Sequence, residues 1–185
     1  DSRDRFGRKR GAAGALMVNY NGFYAGSMWG YFGVENRDLF DGASPELDRA
    51  LVKLARFMSQ GLFLHNLRTD LASYKDGEPV KLSVETENWG RDAQDCRVVF
   101  RLEPQGSGEA QELEATLTVG PGESGKAEAT FAPETFAADL YRITATLITG
   151  DVPVDRMVGG FIVQRDTVAA SGPKLRFHDN YFHLN

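Results

Sequence analysis

A single cysteine, Cys96, stands in 185 residues, so no internal disulfide braces the fold, and no group of thiolates marks a zinc site. Cys96 reads as a small core or edge side chain. No run of eighteen apolar residues is present, which excludes a membrane-spanning helix as a sequence expectation. An excess of positive charge is also missing: 21 Lys and Arg face 26 Asp and Glu, a net charge of −5. A field of that sign does not concentrate nucleic acid or anionic lipid, so neither is an expected partner. Histidines number only three. His178 and His183 lie five apart, unlike the i,i+4 pair of a helical zinc site, and no metal is expected there. There is no Gly-x-Ser-x-Gly elbow, no phosphate-binding glycine loop and no dinucleotide fingerprint. No catalytic residue and no cofactor is therefore assigned.

What the chain has is alternation. Hydrophobic residues make up 42% and charged residues 25%, an ordinary globular balance, and a chain of this length buries about 70% of its unfolded surface. From Tyr74 to Val163 apolar residues fall on every second position. They include Val80, Leu82 and Val84, then Val98, Phe100 and Leu102, then Leu113, Ala115, Leu117 and Val119. Ala127, Ala129 and Phe131 follow, and then Tyr141, Ile143, Ala145 and Leu147. A period of two puts one set on a buried face and the other in water. Turn chemistry separates the runs at Asp76-Gly77, Asn88-Trp89-Gly90, Gln105 to Gly108, Gly120 to Gly125 and Gly150 to Pro153, and the stretches Gln105 to Gly108 and Gly120 to Gly125 read most simply as hairpin connections. The spacing predicts a mainly β fold: a seven-stranded antiparallel β-sandwich with an N-terminal strand, loop and helix. Tyr141 is placed to tie a loop to the sheet as a tyrosine corner does, and Gly159-Gly160 marks a bulge or a close backbone approach.

Three segments are expected: 1–70, 71–166 for the sandwich, and 167–185 as a linker into a missing domain. Residues 1–13 carry Arg3, Arg5, Arg8, Lys9 and Arg10 and read as a mobile entry. Ala15 to Val18 is a buried-strand run. After it comes an aromatic loop over 19–33, with Tyr20, Phe23, Tyr24, Trp29, Tyr31 and Phe32 inside thirteen residues. Such rings plug a neighbouring domain or, if exposed between glycines, stack on sugar rings, with Trp29, Tyr31 and Trp89 as the candidate platforms. Trp89 equally fits a cap on the sandwich core. Ser44 as N-cap, Pro45 at the first helical position and Glu46 beside it predict a helix of about fourteen residues, stopped by Gly61. Leu62 to Leu67 is a strand or an extended connector, and His65 within it reads as a hydrogen-bonded structural group. Glu35, Asp38 and Asp41 form the best acidic group, read as solvated or capping rather than as a glycosidase pair.

The opening Tyr74-x-x-Gly77-Glu78-x-Val80, the Asn88-Trp89-Gly90 turn, the Gly120 to Ser124 turn and the Leu140 to Ile143 strand resemble bacterial Ig-like domains of the CARDB accessory type. The resemblance covers about half the chain. Gly14 to Asn66 resembles the closing strand, loop and helix of a class I glutamine-amidotransferase-like domain, without that family's cysteine elbow or His-x-Glu pair. Gly172 to Asn185 is similar to the lead-in of glycoside hydrolase barrels, and the chain reads as a piece of something larger. These likenesses imply a non-catalytic accessory or spacer module of a larger carbohydrate-active protein, extracellular or at the cell surface. Its partners are then the neighbouring domains of the same protein and a polysaccharide. A glycan-binding module and a cell-surface adhesion module are the alternatives. Loss of neighbouring domains is expected to leave apolar patches that promote self-association.

Overall fold

The computed structural model describes residues 2–3, 9–11, 14–33, 45–165, 175–178 and 181–184. In chain order these form β1 (Ser2–Arg3), β2 (Lys9–Gly11), β3 (Gly14–Asn19), β4 (Ser27–Phe32) and α1 (Pro45–Gln60). Then come β5 (Leu62–Thr69), β6 (Ser73–Tyr74), β7 (Val80–Asn88), β8 (Gln94–Pro104) and β9 (Gln111–Val119). The chain continues through β10 (Glu123–Phe131), β11 (Leu140–Thr149), β12 (Val152–Val163), β13 (Leu175–His178) and β14 (Tyr181–Leu184). Two compact units divide it: Asp1–Leu62 with Trp89–Arg91, and Phe63–Asn88 with Asp92–Asn185.

The larger unit is a β-sandwich. One sheet has the order β10-β7-β5 and the other β6-β12-β11-β8-β9, so seven long strands carry the fold. The short β6 is an eighth, and it pairs parallel with β12 through Ile162 and Val163. The period-two residues point inward as their spacing predicts: Val80, Val84, Val98, Phe100, Ala145 and Leu147 have no accessible surface. Both sheets supply the core. Phe131 of β10 lies 5.9 Å from the ring of Tyr141 on β11, and Tyr141 stacks on Phe161 of β12 at 5.0 Å with planes 4° apart. Cys96, opposite Thr149 at the other end of β11, is buried as well, and burial pushes its thiol pKa up.

One of the two connections departs from the hairpin reading. The β8–β9 link is a hairpin within one sheet, but Gly120 to Gly122 joins β9 to β10 in the opposite sheet and is an arch between layers. Alternation cannot tell these apart, because both put the same residues inward. At the Gly159-Gly160 pair the close approach holds. A Cβ on Gly160 would meet the Tyr141 carbonyl oxygen at 2.6 Å, while the register shift of this strand pair lies at Leu147/Ile148. Leu62 to Thr69 is a strand beside β7 rather than a connector, with Asn66 reaching Glu85 and the Asp70 amide donating to the Lys81 carbonyl, the descending order of an antiparallel pair. Part of the stretch expected as a linker forms the antiparallel pair β13–β14, whose register sets His178 opposite Tyr181.

In the smaller unit the aromatic stretch is shorter as a loop than its sequence reads. Residues 27–32 are a strand paired with β3, from Asn19 opposite Ser27 to Gly14 opposite Phe32. Met28, Gly30 and Phe32 alternate with Trp29 and Tyr31, a period of two that the density of glycine and aromatics disguises. The helix α1 begins at Pro45 with Glu46 and Asp48 in its first turn, while Ser44, Glu35, Asp38 and Asp41 lie outside the described residues. Gly61 ends it at φ 63°, its amide donating to the Phe57 carbonyl. A Cβ there would also stand 3.1 Å from the Trp89 carbonyl carbon, so two constraints select glycine. Leu47, Leu51, Leu54, Phe57 and Met58 form a half-buried stripe, and no residue of α1 is fully buried. That stripe meets the hairpin: a Cβ on Gly30 would lie 3.1 Å from a Leu54 methyl.

Candidate functional site

The hairpin β3–β4 has two faces. Leu16, Val18, Met28 and Phe32 share the half-buried side with Gly30, which abuts α1. Met17 and Trp29 are direct cross-strand partners on the other side, as are Ala15 and Tyr31. Trp29 is 47% exposed and Tyr31 67%. Two of the three residues singled out as sugar platforms therefore lie side by side on one strand face. The third, Trp89, is half-buried and sits edge-on to Tyr20 at 6.2 Å.

The turn that closes this hairpin is tightly tied. Gly26 donates to the Asn19 carbonyl and Ala25 to the Gly22 carbonyl, with both glycines in the left-handed region at φ 80° and 78°. The Ser27 hydroxyl donates to the Tyr24 carbonyl at 2.6 Å and accepts from the Asn19 amide at 3.0 Å. These bonds hold Phe23, 96% exposed, at the tip. Phe23 packs edge-on to Tyr24 at 5.2 Å and Tyr24 edge-on to Trp29 at 4.8 Å, with interplanar angles of 89° and 66°. Sequence reasoning missed Met17 as a member of this face. Its cross-strand register with Trp29 becomes visible only once 27–32 is read as a strand.

The sandwich presents a different surface. Outward residues of β7 and β10 pair as Glu87 with Ser124, Glu85 with Lys126, Ser83 with Glu128 and Lys81 with Thr130. At one end His65 Nε2 lies 2.9 Å from Glu87 and 3.4 Å from Glu85. The Asn66 amide donates to Glu85 at 2.7 Å. Asn66, at φ 55°, is the one non-glycine in the left-handed region among the described residues. That local twist lets two consecutive side chains reach carboxylates on the same outer face, which plain alternation forbids. The Ser124 hydroxyl donates to Glu87 at 2.6 Å. Its proton is thus aimed at a carboxylate rather than at the imidazole, the reverse of a nucleophile and its base. The group staples the three strands, which agrees with the structural reading of His65. Farther along the face a groove of about 330 Å³ is bordered by Arg68, Asp70, Lys81, Ser83 and Glu128.

Three anchors hold the end of the sandwich where β12 finishes. The Ala137 amide donates to the Tyr141 hydroxyl at 2.9 Å, the corner that the sequence anticipates. Arg165 donates to Asp139, Asp76 and the Phe136 carbonyl at 2.8, 2.8 and 2.7 Å. The Tyr74 hydroxyl donates to Asp70 at 2.6 Å, and the Lys81 amide donates to the same oxygen at 3.0 Å. The Tyr74 hydroxyl, above all, holds the Asp70 carboxyl below its ordinary range. Burial first, and then Asp70, raises the pKa of Tyr74.

No family model matches the chain, and no curated protein matches it. Solved structures do. A Paenibacillus sp. cycloisomaltooligosaccharide glucanotransferase shares 18% identity at a TM-score of 0.46, over 58% of this chain and 15% of that one. The CARDB domain of a Pyrococcus furiosus protein, in complex with di-metal ions, shares 15% at 0.42, over 56% of this chain and 87% of that domain. The alkylpurine DNA glycosylase AlkC of Pseudomonas fluorescens shares 16% at 0.45, over 63% of this chain and 36% of that one. The chain thus spans a minor part of the two full-length enzymes. Likeness at this level transfers no activity.

No helix among the described residues is long and apolar enough to cross a membrane, and among them no group of three His, Cys, Asp or Glu side chains is arranged to hold a metal ion. Both outer faces of the sandwich carry charged side chains, Glu85, Lys126 and Glu128 on β7 and β10 and Arg97, Arg101, Glu112 and Glu114 on β8 and β9. The second face also exposes Leu140 beside its partner Ile162, with Val158 farther along the same face of β12 beyond the Arg142 and Gly160 row.

Proposed function

We propose that this chain is a non-catalytic accessory module that spaces and braces the neighbouring domains of a larger, carbohydrate-active, glycoside hydrolase-like protein outside the cell or at its surface. The observation that carries the reading is a group of apolar side chains left in water on the outer face of β11 and β12: Leu140 beside Ile162, with Val158 farther along, on a face that also carries Arg142. An apolar patch on an otherwise well-packed domain marks a contact surface. Around it, the Arg97–Glu114 and Arg101–Glu112 ion pairs on the same sheet form a polar border. The Arg165 anchor supports the same role, since it fixes the chain where it leaves β12 and so limits the directions a following segment takes. The carbohydrate setting rests on the resemblance of 172–185 to hydrolase lead-ins.

A dye that reports apolar surface, applied to the purified chain, tests this reading. Enhanced fluorescence that Leu140→Lys and Ile162→Lys reduce is expected, with no retention on a panel of polysaccharides. A dye-silent wild type counts against the spacer. The glycan-binding reading is favoured by one specific feature, the adjacent Trp29 and Tyr31 on an exposed strand face. Retention on a polysaccharide that is lost in Trp29→Ala, with an unchanged melting temperature, replaces the first reading with the second.

A further inference from the structure

The hairpin that carries the aromatic face contains no charge. Residues 14–33 include no Asp, Glu, Lys or Arg, in a chain whose residues are 25% charged and whose net charge is −5. Exposed surface of this composition, rich in Tyr, Trp, Phe and Met and empty of charge, matches the core of a protein–protein interface rather than ordinary solvated surface.

We infer that the exposed face of β3–β4 binds a second copy of this chain, packed face to face about a two-fold axis. A two-fold contact sets one patch against itself, so it must be free of like-charge repulsion. In a protein of net charge −5 the uncharged hairpin meets that condition. The area reaches the low end of the range for specific interfaces. Met17, Phe23, Tyr24, Trp29 and Tyr31 expose on the order of 600 Å² by ordinary side-chain areas, against about 800 Å² per partner in a standard interface. The surface is also preorganised: the Asn19, Gly22, Tyr24 and Ser27 hydrogen bonds fix the turn before any partner arrives, so little ordering entropy opposes association.

The same observations weigh against other occupants. A membrane surface calls for Lys or Arg beside the aromatics, and the hairpin has none. At the tip, Phe23, Tyr24 and Trp29 meet at 89° and 66° and form a knob rather than a flat row of rings. Such a knob interdigitates with side chains of a facing sheet, as in sheet-on-sheet packing. This inference is independent of the spacer reading, which concerns the outer face of β11 and β12.

Sedimentation velocity and light scattering on the full 185-residue chain over a wide concentration range test it. The mass is expected to rise from one chain to two. Met17→Asp and Tyr31→Asp each place a carboxylate on the face at positions 55% and 67% exposed in the single chain, so the fold is retained. Each is expected to weaken association at least tenfold with an unchanged circular dichroism spectrum, and Phe23→Ser provides a third variant outside the strands. A natively folded wild type that keeps the mass of one chain at every concentration overturns the inference. So does a dimer unaffected by the Met17→Asp, Tyr31→Asp double variant, or a monomer that binds polysaccharide through Trp29.

Discussion

The sandwich and the hairpin–helix unit use the same alternation of apolar and polar residues and reach different ends. In the sandwich, two sheets face each other, and Val80, Val98, Phe100 and Ala145 lose all contact with water. In the smaller unit the β3–β4 hairpin packs on one helix. Its covered side is only half-buried, and its other side leaves Trp29 and Tyr31 exposed. A layer is completed only when both of its apolar faces find a partner. The difference separates where side chains are withdrawn from water from where large apolar ones are left in it.

The strongest way to break that comparison is to truncate one residue in each region. Phe100→Ala is expected to cost about 3–5 kcal/mol, because it opens a cavity between two sheets. Leu54→Ala on the half-buried stripe of α1 is expected to cost about 1 kcal/mol, since part of the lost surface is already wet. Urea unfolding of both variants checks this, and equal costs would mean that the helix is as deeply embedded as the sandwich core. Next comes Tyr141→Phe, which leaves the Ala137 amide without its acceptor and is expected to cost about 1–2 kcal/mol in the same assay.

A smaller change sharpens the account in the other direction. The Thr86 hydroxyl is fully buried and has no hydrogen-bond partner. Thr86→Val keeps the shape and removes the uncompensated polar atom, so a gain of about 1 kcal/mol is expected by thermal or urea unfolding.

Asp70 supplies a pH test with a defined sign. Its carboxyl is held below the ordinary range by the Tyr74 hydroxyl, so the ionised form is favoured in the folded state. Its contribution is therefore intact at neutral pH, above the unfolded pKa, and is lost as pH falls through the folded pKa. Asp70→Asn is expected to lower stability near neutrality and to flatten its acid dependence, as read from melting temperature against pH. The smallest effect on stability belongs to Trp29→Ala, within about 0.5 kcal/mol, because the ring is half in water. A larger loss in melting temperature would show that Trp29 belongs to a core.

Much of this architecture is legible in the residues themselves. The inward set of β7, β8 and β11 follows from period two, the start and stop of α1 from Pro45 and Gly61, and the corner from Tyr141. Local chemistry decides these features, so a linear reading reaches them. The aromatic stretch was harder: glycines at 22, 26, 30 and 33 read as a loop, although only Gly22 and Gly26 occupy the turn while Gly30 sits in a strand against Leu54. Asn66 was invisible as a device. Nothing in its neighbours announces that one left-handed residue will turn both His65 and Asn66 toward Glu85 and Glu87.

By itself, then, the order of residues determined which side chains of the sandwich seek burial, where the helix begins and ends, and that a β-sandwich would result. Tertiary structure alone decided that β9 and β10 fall in different sheets. It also decided that Arg165 meets Asp76 and Asp139, and that Trp29 and Tyr31 share a bare face with Met17. The reason is physical: periodicity specifies a face within one strand, whereas the choice of which face meets which depends on contacts between residues far apart in the chain, whose energies no local pattern contains.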